Sequence, residues 1–260
     1  MPDVYMCEII KNEKLSGTVF SVTVSSGGLA SSARPGQFLH IKCGEARLLR
    51  RPIGICGISG DAVRFVFEVK GEGTRWLSCR KPGDMLDILG PLGNGFAFPE
   101  DPEGPEGNMI VVGGGLGAPP LLFAAESAKN SVTAVLGFRD EGSIILLREF
   151  EQACGAVYLT TDDGSAGICG TVAVPLEALL QQGGYDAVLA CGRHAMQQAV
   201  AKLCGRYGVA CQVSLEERMG CGVGACLVCA CATRAGGKVQ MSRVCKDGPV
   251  FDAADVVWEV

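Results

Sequence analysis

Hydrophobic and polar positions change their period twice along the chain. Over residues 1–98, short β-branched and aromatic runs at 18–24, 38–42 and 63–69 are separated by glycine and proline turns. Short strands punctuated in this way predict a small antiparallel barrel or sandwich. The stretch Pro99-Glu100-Asp101-Pro102-Glu103-Gly104-Pro105-Glu106-Gly107 holds no apolar residue and reads as a linker or exposed loop at a domain boundary. Beyond it, apolar runs at 109–112, 132–136, 156–161 and 186–191 alternate with helical patterns at 118–129, 145–153, 175–182 and 194–206. Strands alternating with helices predict a doubly wound parallel sheet. From residue 209 the helical pattern stops and a cysteine-rich segment continues to residue 260. Three units are therefore expected, at 1–98, 99–208 and 209–260, with no internal repeat.

Composition narrows the class. The 260 residues are 48% hydrophobic and 20% charged with a net charge of -5, which describes a globular chain and argues against a nucleic-acid partner. The first residues lack a basic stretch followed by an apolar run, and no segment reaches the roughly 18 uninterrupted apolar residues of a membrane span. A cytoplasmic location without membrane contact is the expectation. In a reducing compartment the 14 cysteines point to metal ligation or plain burial rather than to disulfides. Only two histidines are present, His40 and His194, which weakens any scheme built on repeated histidine chemistry.

The most specific chemical signal is Cys221-Gly222-Val223-Gly224-Ala225-Cys226, continued by Cys229 and, after 15 further residues, by Cys245. Thiolates spaced C-x4-C-x2-C with a distant fourth match the plant-type arrangement for a 2Fe-2S cluster. Small residues between the first two let the backbone wrap closely and aim N–H groups at sulfur. Four thiolates also suit tetrahedral zinc, although zinc ribbons usually present two C-x2-C knuckles and this segment has one. Buried metal-free cysteines are the third reading. Cys231 lies nearby and reads as a structural thiol.

A second signal is Gly113-Gly114-Gly115-Leu116-Gly117-Ala118, placed between a strand and a helix. Glycines there let a phosphate approach the backbone at a helix N-terminus, so the turn is a candidate dinucleotide site. A tight strand-to-helix turn without a ligand explains the same residues. Cys191-Gly192-Arg193 ends a later strand of the same sheet, where the reacting end of a nucleotide would lie. Asp162 and Asp163 follow another strand, where an acid can bond ribose hydroxyls and repel a 2′-phosphate, although a capped turn is the plainer reading. Arg139, nearby, is a potential counter to that selectivity. In the first unit, Arg50-Arg51-Pro52-Ile53-Gly54 and Gly71-Glu72-Gly73-Thr74 are candidates for a second anionic ligand. Each is also common as an ordinary turn or strand end.

Taken together, these motifs resemble the ferredoxin reductase superfamily and, within it, the electron-transfer subunits of NAD-dependent (class 1B) dihydroorotate dehydrogenases. The resemblance spans essentially the whole chain. It implies an FAD-binding antiparallel barrel, a nucleotide-binding α/β domain and a C-terminal 2Fe-2S segment. It assigns FAD to Arg51, Pro52, Ile53, Gly54, Gly73 and Thr74 with the strand Val66-Phe67-Glu68 beside them. NAD, as co-substrate, goes to Gly113, Gly114, Gly115, Gly117, Asp162, Cys191 and Gly192, and the cluster to Cys221, Cys226, Cys229 and Cys245. It further implies an FMN-containing dihydroorotate dehydrogenase catalytic subunit as partner, in a heterotetramer of two of each chain, serving UMP biosynthesis. No side chain of this chain need then act as nucleophile or base. A related reductase serving ferredoxin, sulfur compounds or another dehydrogenase is the alternative; the small subunits of ferredoxin:NADP oxidoreductases carry aspartate where this chain has Cys221. One departure from the pattern is Gly54, where relatives commonly have Ser or Thr.

Overall fold

The computed structural model describes residues 3–25, 27–45, 48–98, 107–128 and 131–258, so the linker stretch 99–106 lies outside the described residues. The first unit comprises β1 (Asp3–Ser16), β2 (Val19–Ser25), the short α1 (Leu29–Ser32), β3 (Phe38–Ile41), β4 (Arg51–Ser59), β5 (Ala62–Glu68), α2 (Glu72–Ser78) and β6 (Met85–Leu92). Its six strands close into an antiparallel barrel in the order β1-β2-β5-β4-β3-β6. Alternation along the strands is the cause: in β6 every second residue is buried, and Ile9, Leu39, Ile41, Ile55, Phe65 and Ile88 fill the interior. Closure removes the free edges that an open sheet of this size would expose.

The second unit comprises β7 (Met109–Gly114), α3 (Ala118–Ser127), β8 (Val132–Phe138), α4 (Leu147–Ala153), β9 (Ala156–Thr161), β10 (Ile168–Cys169), α5 (Ala173–Gln182), β11 (Ala187–Cys191), α6 (His194–Tyr207) and β12 (Ala210–Ser214). The chain closes with the hairpin of β13 (Ala230–Ala235) and β14 (Lys238–Arg243), followed by β15 (Val250–Asp252). The large sheet runs β10-β9-β8-β7-β11-β12-β15, parallel except for β15. Its strand order reverses at β7, which opens a crevice at the carboxyl ends of β7 and β11. Helix α3 is buried along Ala118–Ala125 because it packs against the sheet on one side and the barrel on the other. Pro119 and Pro120 are tolerated in its first turn, where a backbone donor has no intrahelical acceptor to lose. Among the described residues no helix is long and apolar enough to cross a membrane.

The sheet extends past the expected boundary at residue 209. β12 pairs in register with β11, and β15 adds an antiparallel edge, so the cysteine-bearing residues form an excursion between two strands of the nucleotide sheet. Helical periodicity, which ends before β12, could not reveal this pairing. Barrel and excursion share one apolar core, since Phe38 and Leu92 pack with Cys229, Val244 and Cys245. The Asn94 amide N–H donates to the Gly248 carbonyl at 2.6 Å, and the Asn94 side chain donates to the Asp247 carbonyl at 2.9 Å.

Gly54 marks the seam between barrel and sheet. A Cβ there would sit 2.7 Å from Cγ of Pro120, so Pro120 occupies the space that a larger residue on β4 would need. Replacing Gly54 by Ala should destabilise the protein by about 1–3 kcal/mol through overpacking. Adding Pro120→Ala should recover most of that loss, and a double-mutant cycle by denaturant unfolding measures the coupling.

Candidate functional site

The β13–β14 hairpin explains the long gap before the last cysteine. Its turn uses Gly236 and Gly237, both with positive φ, and the paired strands return Cys245 to the side of Cys229, whose sulfur accepts the Cys245 N–H at 3.4 Å. Upstream, Gly222 (φ 75°) and Gly224 (φ 82°) bend the loop so that its N–H groups point inward. Val223 and Ala225 donate to Cys221 Sγ at 3.4 and 3.3 Å, Cys221 donates to Cys226 Sγ at 3.4 Å, and Gly224 donates to Cys245 Sγ at 3.1 Å. Arg243 fastens the loop by donating to the Gly224 carbonyl at 3.2 Å while forming a two-point ion pair with Asp247 at 2.8 and 2.9 Å.

The thiols meet as two pairs, Cys221 with Cys226 and Cys229 with Cys245. Burial opposes ionisation of Cys221, but the N–H groups of Val223, Cys226 and Ala225 and the Cys226 thiol outweigh it and bring the pKa down to about 6. Burial and the adjoining Cys229 push Cys245 up to about 12. No three His, Cys, Asp or Glu side chains close into a ready-made cage among the described residues; the N–H groups of the loop link the two pairs. A two-plus-two thiol set ringed by N–H donors suits a binuclear iron–sulfur core, which takes two thiolates per iron, better than one tetrahedral zinc. Cys231 stands apart, lining a neighbouring cleft, with its thiol raised to about 11 by burial and by Glu217.

In the barrel, the structure brings Arg51 and Gly73 together. A Cβ on Gly73 would lie 2.7 Å from Arg51 Nε, so the guanidinium covers the start of α2. Hydrogen bonding in α2 begins with the Arg75 N–H on the Gly71 carbonyl at 2.9 Å, so the N–H groups of Gly73 and Thr74 have no acceptor within the helix. The Thr74 hydroxyl is occupied by its own turn, accepting from Lys70 N and Gly71 N at 2.9 and 3.2 Å. Arg50 is locked in the wall by an ion pair with Asp87 at 2.8 Å. Pro52 and Gly54 lie on the outer face of β4, whereas Ile53 and Phe67 turn into the barrel core, Phe67 beside Phe20 at 6.0 Å. Val66 packs toward α3, and Glu68 sits at the rim, paired with Lys70 at 3.3 Å.

The glycine-rich turn and Cys191-Gly192 lie side by side, since Gly113 pairs in register with Cys191. Three of the four glycines serve close packing within the chain. A Cβ would stand 2.9 Å from Ala118 Cα at Gly113, 2.5 Å from Met196 Sδ at Gly114 and 2.1 Å from the Cys191 carbonyl oxygen at Gly117. Gly115 differs, with φ 53° and open space around it, so it is the position where a ligand can approach the backbone. Asp163 accepts from Ser165 N and Oγ at 2.9 and 2.6 Å and shapes its own turn, while Asp162 is exposed and its carboxylate takes part in no hydrogen bond or ion pair among the described residues. Arg139 pairs with Asp140 at 2.7 Å. Burial, with Glu216 adding, raises the Cys191 thiol to about 12.

Two residues escaped the sequence reading. Gln197 is buried and donates to the carbonyls of Gly192 and Ser214 at 2.7 and 3.0 Å, fixing the ends of β11 and β12. His40 is 1% exposed on β3, opposite Pro52 in the register, with its ring against Gly222 of the cysteine loop, where a Cβ would lie 2.6 Å from Nδ1. Its burial, with the charge of Arg50, pushes the imidazole down to about 4. The available signal was a lone polar residue within the apolar run Phe38-Leu39-His40-Ile41.

Residues 216–257 match the family model described as the iron-sulfur cluster binding domain of dihydroorotate dehydrogenase B. The protein is 40% identical over 259 aligned residues to the dihydroorotate dehydrogenase B (NAD(+)) electron transfer subunit of Geobacillus thermodenitrificans, with 96% of each chain covered. It is 38% identical to the subunit of the same name from Desulforamulus reducens, with both chains covered completely. Among solved structures, the NADH-dependent reduced ferredoxin-NADP oxidoreductase superposes with a TM-score of 0.85 at 32% identity, covering 97% of this chain and 90% of that one. The ferredoxin reductase of carbazole 1,9a-dioxygenase shares the fold at a TM-score of 0.67 and 19% identity, covering 80% of this chain and 67% of that one.

The two kinds of glycine in the turn separate experimentally. Gly115→Ala should cost only about 1–2 kcal/mol, the price of an L-residue at positive φ. Gly117→Ala, which drives a methyl into the Cys191 carbonyl, should cost more than that and lower the melting temperature further.

Proposed function

The chain belongs to the family of electron-transfer subunits of NAD-dependent dihydroorotate dehydrogenase B, and on that premise we propose how its residues divide the work. It is an oxidoreductase subunit that carries FAD and a 2Fe-2S cluster, uses NAD and acts with a catalytic partner. The chemistry FAD supplies when bound is the splitting of a two-electron hydride into single electrons, the unit in which an iron–sulfur centre works. Cys221, Cys226, Cys229 and Cys245 are the cluster ligands in this reading. The observation that carries it is the pairing of these four thiols within a ring of inward N–H groups, seated directly on the barrel wall.

Arg51, held over Gly73, supplies the positive charge for the FAD pyrophosphate or ribityl region, and the N–H groups of Gly73 and Thr74 supply neutral donors. Pro52, Ile53 and Gly54 with Val66, Phe67 and Glu68 form the wall beside it, Ile53 and Phe67 through their backbone. Gly115 receives the NAD pyrophosphate at the crevice, with Gly113, Gly114 and Gly117 holding that turn against Cys191-Gly192 at the reacting end. Asp162 faces the adenosine ribose.

The partner surface lies around the cysteines, where Val223, Leu227 and Val228 are 43%, 63% and 56% exposed. Apolar side chains left in water beside an electron outlet fit a partner that comes close. That partner is the FMN-bearing catalytic subunit, in an assembly of two of each chain, acting in the cytoplasm in keeping with cysteines that form no disulfide.

Reconstitution tests the reading. The isolated chain should oxidise NADH with artificial dyes, and dihydroorotate-dependent NAD reduction should appear only when the catalytic chain is added. Full activity from this chain alone, or failure of the two to associate, would contradict it. Leu227→Asp should weaken that association at least tenfold in a binding titration. Asp162→Ser should narrow the preference for NADH over NADPH in kcat/KM, whereas Asp163→Ser should mainly loosen the turn and lower thermal stability.

A further inference from the structure

His40, on the outer side of β3, is the only histidine of the barrel, and both of its ring nitrogens are buried and without a hydrogen-bond partner among the described residues. The backbone of Arg50 and of Cys221 approaches the ring without completing a bond of normal geometry. Its own strand neighbours do not explain the imidazole: Leu39 and Ile41 point into the apolar barrel core, so His40 faces the opposite side of β3. A buried donor left unpaired destabilises the fold that carries it. The ring nevertheless sits at a single defined place, between the Pro52 register position on the flavin-facing strand and Gly222 in the bend between Cys221 and Cys226. Gly222 has positive φ and no room for a methyl group against Nδ1, so loop and ring fit each other closely.

We propose that His40 is a positioning residue of the electron-transfer route: its imidazole is the seat on which the Cys221–Cys226 loop rests against the flavin barrel, and its N–H is a donor reserved for the sulfur-rich loop. The inference rests on the reading of the four cysteines as cluster ligands. An N–H directed at that loop stabilises additional negative charge there, so its removal lowers the reduction potential of the centre. No transfer of a proton is involved.

The test uses the anaerobically purified protein with FAD and cluster bound. Because His40 and His194 are the only histidines, selective [15N]histidine labelling reports on two rings alone. His194 packs tilted against Trp258, ring centroids 5.2 Å apart. Pulsed EPR of the reduced cluster should show a 15N coupling that survives in His194→Gln and disappears in His40→Leu. His40→Leu should melt at or above the parent temperature, since it removes an unpaired polar group, yet its cluster should titrate at a lower potential with altered g-values. His40→Gln, which restores a side-chain N–H, should move the potential back toward the parent. Absence of the 15N coupling in the labelled parent with full iron and sulfide content would overturn the proposal without any variant, as would an unchanged potential and EPR spectrum in His40→Leu. Lack of iron and sulfide in the parent itself would instead refute the cluster reading, and this inference with it.

Discussion

Direct backbone contact at a few glycine-wide seams governs how the three parts of this protein are held. Gly54 admits Pro120 between barrel and α3, Gly93 admits Pro249 between barrel and the C-terminal segment, Gly117 admits the Cys191 carbonyl between turn and sheet, and Gly222 admits the His40 ring between cysteine loop and barrel. At each of these places a Cβ would come within 2.7 Å of a neighbouring atom. Packing at this range transmits displacement, because interiors at crystal-like density have no slack to absorb a methyl group. A relay of redox groups depends on fixed spacing, and rigid seams are the means by which a chain with few catalytic side chains provides it.

The same seams explain why the cysteine segment is an excursion from the sheet rather than an appended module. β12 and β15 pin its two ends, the β13–β14 hairpin brings the distant fourth thiol back, and Phe38 and Leu92 of the barrel enter its core. The loop N–H groups are already turned toward sulfur, so polarity around the thiols is built from the backbone. Placing that polarity in the backbone leaves the outer surface of the loop apolar at Val223, Leu227 and Val228, which is the surface a partner would cover.

Much of this was legible in the sequence. Short β-branched and aromatic runs between glycine and proline turns gave the barrel, alternating strands and helices gave the parallel sheet, and the cysteine spacing marked the loop that the structure assembles. What could not be read were long-range pairings. β12 carries no helical or glycine signal that ties it to β11, so the boundary at 209 fell before a strand of the sheet. The glycine-rich turn looked like one phosphate cradle, yet only Gly115 is open, because the atoms filling the space beside Gly114 and Gly117 come from Met196 and Cys191, some eighty residues away. The bonds of the Thr74 hydroxyl within its own turn, a local pattern typical of Ser and Thr, were also not evident from the motif. His40 was hidden because its meaning lies in Gly222, on another part of the chain.

The central claim is that electrons pass between NADH and the four-thiol loop only by way of the barrel site at Arg51 and Gly73. An anaerobic NADH titration followed by EPR, run on cluster-loaded protein with FAD bound and again after FAD has been stripped, tests it most directly. The account predicts a reduced-cluster signal at substoichiometric NADH with FAD bound and none over the same period without it. A signal of equal size and rate in the stripped protein would show that the barrel is not on the route.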